Sequence, residues 1–218
     1  MDDCCDLGPL KNDWRTVYRT DNFFVIPSIG PLQPGHLLVQ PKDHVLGYGQ
    51  LDPALDKELS HVIDTTKRVL AEVYGKEVFT FEHGPRVCHD TQEIRGGGCM
   101  DHAHLHLVPL GKHDDAVLDA IAVDMVRRLQ TYDHFRADRT EGLDIMREIV
   151  IEGKTSYMLT ETSNGARVVF RVSRPVPSQY IRRQIGEALS FAPGEYDWAA
   201  VPREDIVEQT IELLLGKF

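Results

Sequence analysis

Residues 102–108 read His102-Ala103-His104-Leu105-His106-Leu107-Val108. A strand repeats its side-chain direction every two residues, so His102, His104 and His106 share one face and Ala103, Leu105 and Leu107 the other. Alternate Cβ atoms stand ~7 Å apart along a strand, so three imidazoles can line one groove while the apolar face enters a core. Such a row serves metal ligation or nucleophilic attack on phosphorus; the bland alternative is three surface histidines on an edge strand. Ligands at i, i+2 and i+4 of one strand rarely converge on a single ion, which favours phosphorus chemistry.

Immediately upstream stands Gly96-Gly97-Gly98-Cys99-Met100-Asp101. A glycine run lets backbone N–H groups approach an anion closely, so Gly97, Gly98 and Cys99 are candidate substrate contacts. Glu82 and His83, at the end of the strand-like run Val78–Glu82, are further candidates beside the groove. His36–Gln40 is an apolar strand after the turn-rich Gly30–Gly35, and Phe23–Ile26 is another. Asp52-Pro53 opens a long helix whose apolar residues recur from Leu55 to Val73 and which stops at Gly75.

The second half reads as a helix over Val117–Leu129 and two strands over Ser156–Thr160 and Val168–Val172, joined through Asn164-Gly165. Helices over Gln179–Leu189 and Arg203–Leu215 follow. No repeat is visible in the sequence. Arg182 and Arg183 are candidates to reach phosphate but read first as a solvated helix face, and Trp14 and Trp198 as core or interface aromatics.

The chain has 218 residues and a net charge of −10. A diffuse negative field opposes non-specific binding to nucleic acid, so an anionic substrate needs a local donor site that overrides it. The four cysteines, Cys4, Cys5, Cys88 and Cys99, are too few for a disulfide scaffold in a chain this long. With no apolar run of bilayer length and an acidic N-terminus, a cytoplasmic protein with no membrane partner is expected.

The histidine row and the segment Gly30-Pro-Leu-Gln-Pro-Gly-His36-Leu-Leu-Val-Gln-Pro-Lys-Asp-His44 together resemble the two motifs of the histidine-triad (HIT) superfamily, in family order. The resemblance covers about residues 14–110. The tail is similar to the C-terminal region of CwfJ-type HIT proteins through Ser178–Gln184 and Asp197-Trp198. The resemblance implies that His104 is the nucleophile, that His102 and His106 contact phosphate, leaving group or the catalytic ring, and that His36 is a fourth imidazole. It puts Cys99 where a small hydroxyl residue often touches phosphate, and Ser28 near the ribose-binding Asp or Asn. It also implies a two-fold homodimer and raises a structural zinc near Cys5 and His44, with no metal required for catalysis.

The expected fold is α+β, a HIT-like antiparallel sheet with a long helix plus an α+β extension. Residues 1–112 are expected to form a nucleotide-binding catalytic domain, and residues 113–218 an extension packed on it. The expected activity is cleavage of a nucleoside monophosphate conjugate, a purine one by resemblance, at the α-phosphate through a phosphohistidine. A non-catalytic nucleotide- or RNA-associated scaffold and a histidine-cluster metalloenzyme are the alternatives.

Overall fold

The apolar runs around residues 23–26, 36–40, 78–82 and 103–107 become neighbouring strands in the computed structural model, which describes residues 13–87, 101–125, 127 and 134–218. The strands of the first half are β1 (Tyr18–Arg19), β2 (Phe23–Pro27), β3 (Leu37–Pro41), β4 (Val78–Gly84) and β5 (Leu105–Pro109). Those of the second are β6 (His134–Ala137), β7 (Ser156–Glu161) and β8 (Arg167–Val172). The described strands lie in the order β1-β2-β3-β5-β4-β7-β8-β6, and every neighbouring pair is antiparallel. This is the antiparallel α+β architecture that the sequence leads one to expect.

The helices are α1 (Asp56–Tyr74), α2 (Asp114–Asp124), α3 (Arg139–Ile151), α4 (Tyr180–Ala188) and α5 (Glu204–Leu214). The start of the α1 region is fixed by Asp52, whose carboxylate accepts the Ala54 N–H at 2.9 Å. Its end is fixed by Gly75, which takes φ +62° and donates its N–H to Ala71 O. The apolar faces of α1 and α3 cover one face of the sheet, against Leu37, Val39, Leu105, Leu107, Tyr157 and Leu159. On the other face, α2 and α4 pack over Phe79, Phe81, Val108, Met158 and Phe170. Among the described residues no helix is long and apolar enough to cross a membrane.

Some details differ from the sequence reading. The triad strand begins at Leu105, so His102 and His104 lie in the segment that leads into it. That segment is pinned by the Ala103 N–H, which donates to Val45 O at 2.7 Å. Trp14 is 66% exposed and belongs to no core cluster, which removes the core reading and leaves the interface one open. The α3 helix begins with a capping box: Asp138 accepts the Glu141 N–H and Glu141 accepts the Asp138 N–H.

The second half repeats the topology of the first. The order β3-α1-β4-β5 recurs as β6-α3-β7-β8, and the strand order reads β3-β5-β4 followed by its mirror, β7-β8-β6. The registers agree: Val78 faces Pro109 as Ser156 faces Val172, and Leu37 faces Leu107 as His134 faces Phe170. Phe81 faces Thr160 and Glu82 faces Leu159, so an approximate two-fold axis passes through the β4–β7 pair. By this register His106 corresponds to Val169, and extending it puts Arg167 and Gly165 where the first unit has His104 and His102. The second unit thus carries the architecture without the imidazoles.

A buried ion cluster ties the units together. Glu161 of β7 is bonded by Lys67 of α1 and by the Arg167 guanidinium, whose Nε donates at 2.8 Å, with Arg139 Nη2 at 3.5 Å. Burial pushes the carboxyl up, but Lys67 and Arg167 hold its pKa down to about 2. Glu161→Gln leaves these cations without their shared anion and should cost about 3–5 kcal/mol, read as a drop in denaturant stability at pH 7.

Candidate functional site

Side-chain alternation puts His106 and Val108 of β5, His36 ahead of β3, and Phe81 and His83 of β4 on the sheet face that α4 covers. His36, His83, His102, His104 and His106 are all buried. The His104 and His106 rings meet edge to face at 4.9 Å, and Phe81 stacks flat on His106 at 4.1 Å. Phe81 therefore fixes the plane of the third triad ring.

Hydrogen bonds assign the protons. A carbonyl can only accept, so His104 carries its hydrogen on Nδ1, which donates to His102 O at 2.7 Å. In the neutral ring Nε2 then holds a lone pair. By the same logic His102 Nε2–H donates to Pro41 O at 2.8 Å. His36 Nδ1 accepts the Leu32 N–H at 3.1 Å, so its hydrogen sits on Nε2 and is donated to His106 Nδ1 at 2.9 Å. This relay leaves His106 with a donor at Nε2. His83 Nε2 accepts the Ile181 N–H from α4 at 3.2 Å.

The same surroundings keep the rings neutral. Burial lowers His104 to about 4, aided by the charges of His102 and Arg182 and opposed by the bond to His102 O. Burial first, then His104 and Arg182, takes His83 to about 3. His36 and His106 are held well below the ordinary imidazole value, again chiefly by burial. At pH 7 the Nε2 lone pair of the neutral His104 ring is thus unprotonated without any base to uncover it.

The other anticipated residues are distributed unevenly. Ser28 is buried beside His36, its N–H donating to His36 O at 2.9 Å. Glu82 is a correction: it points to the opposite face of the sheet. There its carboxyl accepts the Tyr157 hydroxyl at 2.6 Å and the Tyr48 N–H at 2.9 Å, among the α1–α3 core. Burial pushes it up to about 7. Alternation along β4 brings His83 to the imidazoles and takes Glu82 away. Gly97, Gly98 and Cys99 lie outside the described residues, as do Cys4 and Cys5. His44 Nε2–H donates to Asp101 O, and its ring meets His102 edge-on at 5.5 Å. Among the described residues no group of three or more His, Cys, Asp or Glu side chains is disposed to hold a metal ion.

Arg182 overturns its solvated reading. Arg183 does face solvent and pairs with Glu187, but its neighbour is 3% exposed. Arg182 Nε donates to Tyr196 O at 3.1 Å, Nη1 to Ser28 Oγ at 3.4 Å, and Nη2 to Gly30 O. The helical period could have flagged it: Arg182 lies between Ile181 and Ile185 on the flank of the apolar face of α4.

Residues 10–113 match the HIT domain. The match supports the HIT superfamily for this segment. The HIT segment is 29% identical over 104 residues to an uncharacterized HIT-like protein of Methanocaldococcus jannaschii, covering 48% of this chain and 74% of the relative. Two solved structures overlap it less closely. A Hit-like protein involved in cell-cycle regulation from Bartonella henselae aligns at TM-score 0.42 and 18% identity, over 51% of this chain and 82% of its own. A HIT family hydrolase from Clostridium thermocellum aligns at 0.38 and 19%, over 51% and 95%. The HIT match ends at His113, before α2, so α4 and Arg182 lie outside it.

Proposed function

We propose that this chain hydrolyses or transfers a nucleoside monophosphate group, with His104 Nε2 attacking the α-phosphorus of a purine nucleotide conjugate. The observation that carries the reading is the bond from His104 Nδ1–H to His102 O, which leaves Nε2 as the nucleophilic atom of a neutral ring. The N–P bond forms as the bond to the leaving group breaks. A water or another acceptor, losing its proton, then attacks phosphorus and returns the electron pair to Nε2. Splitting one displacement into two in this way is the general benefit of covalent catalysis.

The rest of the site supports the same chemistry. His106 Nε2–H, oriented by the relay through His36 to the Leu32 amide, is a donor suited to a non-bridging oxygen. Buried neutral donors of this kind stabilise developing charge without reorganising. The activity is of the phosphoramidase or dinucleoside polyphosphate hydrolase type, and the CwfJ-like tail and a cytoplasmic homodimer belong to the same reading.

Incubation with adenosine 5′-phosphoramidate and a diadenosine polyphosphate should release AMP. The chemistry needs no metal at the phosphorus, so exhaustive chelation should leave turnover unchanged in the folded protein. Failure to release a nucleoside monophosphate from any such conjugate supports the scaffold reading instead. Rapid loss on chelation, restored by zinc, supports the metalloenzyme.

A further inference from the structure

We propose that Arg182 is the anion-binding residue of this site: a fixed cation, delivered by α4 from outside the HIT-matched segment, that takes a non-bridging phosphate oxygen of the substrate beside Ser28. The proposal rests on the phosphoryl-transfer reading above and names a contact that reading lacks.

Three observations carry it. First, Arg182 is buried and clamped, with N–H donors directed to Ser28 Oγ, Gly30 O and Tyr196 O. A guanidinium held this way has lost its rotamer freedom before any ligand arrives, so little more is lost when it binds one. Second, its location is at the imidazoles. Ser28 is bonded to the His36 backbone, and the charge of Arg182 is felt at His36, His83, His104 and His106. Third, a chain of net charge −10 whose triad rings are neutral needs a local positive charge to hold a phosphate. Arg182 supplies it in a buried, weakly screened setting, where a charge-assisted bond is strongest.

The setting is built by the second half of the chain. Gly30 takes φ +58°, and a Cβ there would stand 2.5 Å from Trp198 Cα, so the segment after α4 sits directly on the Ser28–Pro31 loop. Gly30 N–H donates to Pro202 O at 2.7 Å, and Arg203 Nη1 donates to Pro31 O at 3.2 Å. These contacts keep the loop in place when the Arg182 charge alone is changed.

The test is titration of inorganic phosphate into the full chain, followed through the imidazole NMR resonances, with melting temperature as a check on folding. Arg182→Met should weaken phosphate binding at least about tenfold, as expected for one lost charge-assisted bond. Arg182→Lys, which keeps the charge, should retain most of it. Arg182→Gln, which keeps side-chain N–H donors but not the charge, should weaken binding as Met does. A purely structural Arg182 predicts unchanged phosphate affinity in every variant that keeps the wild-type melting temperature. Equal affinity in wild type and the folded variants, equal loss in Met and Lys, or no phosphate binding by wild type overturns the proposal. Should Arg182→Met not fold, Arg182→Gln and Arg182→Lys decide. The transfer reading is judged separately, by covalent labelling of His104.

Discussion

His104→Asn lowers AMP release from a nucleotide conjugate by at least about 10⁴-fold, the scale on which removal of a catalytic nucleophile acts. The substitution keeps a donor near His102 O but removes the atom that attacks phosphorus. His104 sits just ahead of β5, and the hydrophobic clusters on both sheet faces are formed by other side chains. The melting temperature should therefore stay close to wild type. His36→Asn, which interrupts the relay to His106 without touching the nucleophile, should cost less, about 10²-fold, comparable to loss of one positioned donor. Near-wild-type turnover in a folded His104→Asn protein would refute the mechanism. Equal losses in the two variants would remove the distinction between nucleophile and relay.

Acidification from pH 7 to pH 5 destabilises the fold sharply. His36, His83, His102, His104 and His106 all have pKa values below the ordinary 6.5, chiefly through burial. Below that value the unfolded chain binds protons that the native chain refuses, so stability falls as pH falls. No penalty exists well above pH 6.5, and for His104 and His83 it grows until about pH 4 and 3. Glu82 acts in the opposite sense, since its carboxyl, raised to about 7, gives stability that is present at low pH and lost as pH rises towards 7. At about 1.4 kcal/mol per pH unit per ring, the histidines prevail and the net loss between pH 7 and 5 is on the order of 5 kcal/mol. Denaturant unfolding across pH 4.5–8 measures it. Stability that is flat or rises on acidification would show that the rings are not buried as neutral groups.

The triad was legible because a two-residue period with apolar alternates has few other meanings, and the structure keeps His104 and His106 on one face as that period requires. The helix at Asp52-Pro53 and its stop at Gly75 were legible because caps are local chemistry. The hairpin at Asn164-Gly165 was too, with Thr162 N–H donating to Ala166 O and Gly165 at φ +85°. The α3 helix and β6 went unread, although Asp138 and Glu141 spell a capping box three residues apart. The repeat was invisible because the units share strand order and register while Arg167 and Val169 stand where the first has His104 and His106. Glu82 and Arg182 were misjudged for one reason: which side of a strand or helix meets the site is decided by contacts between Tyr157, Ser28 and segments far apart in sequence.

The most direct test is to trap the intermediate. A conjugate labelled with ³²P at the α-phosphate is mixed with the protein in a single turnover, quenched in base and digested. The mechanism predicts one labelled peptide, with the phosphoryl group on His104, stable in base, lost in acid and absent from His104→Asn. AMP release with no label on His104, or with label on another residue, would contradict it.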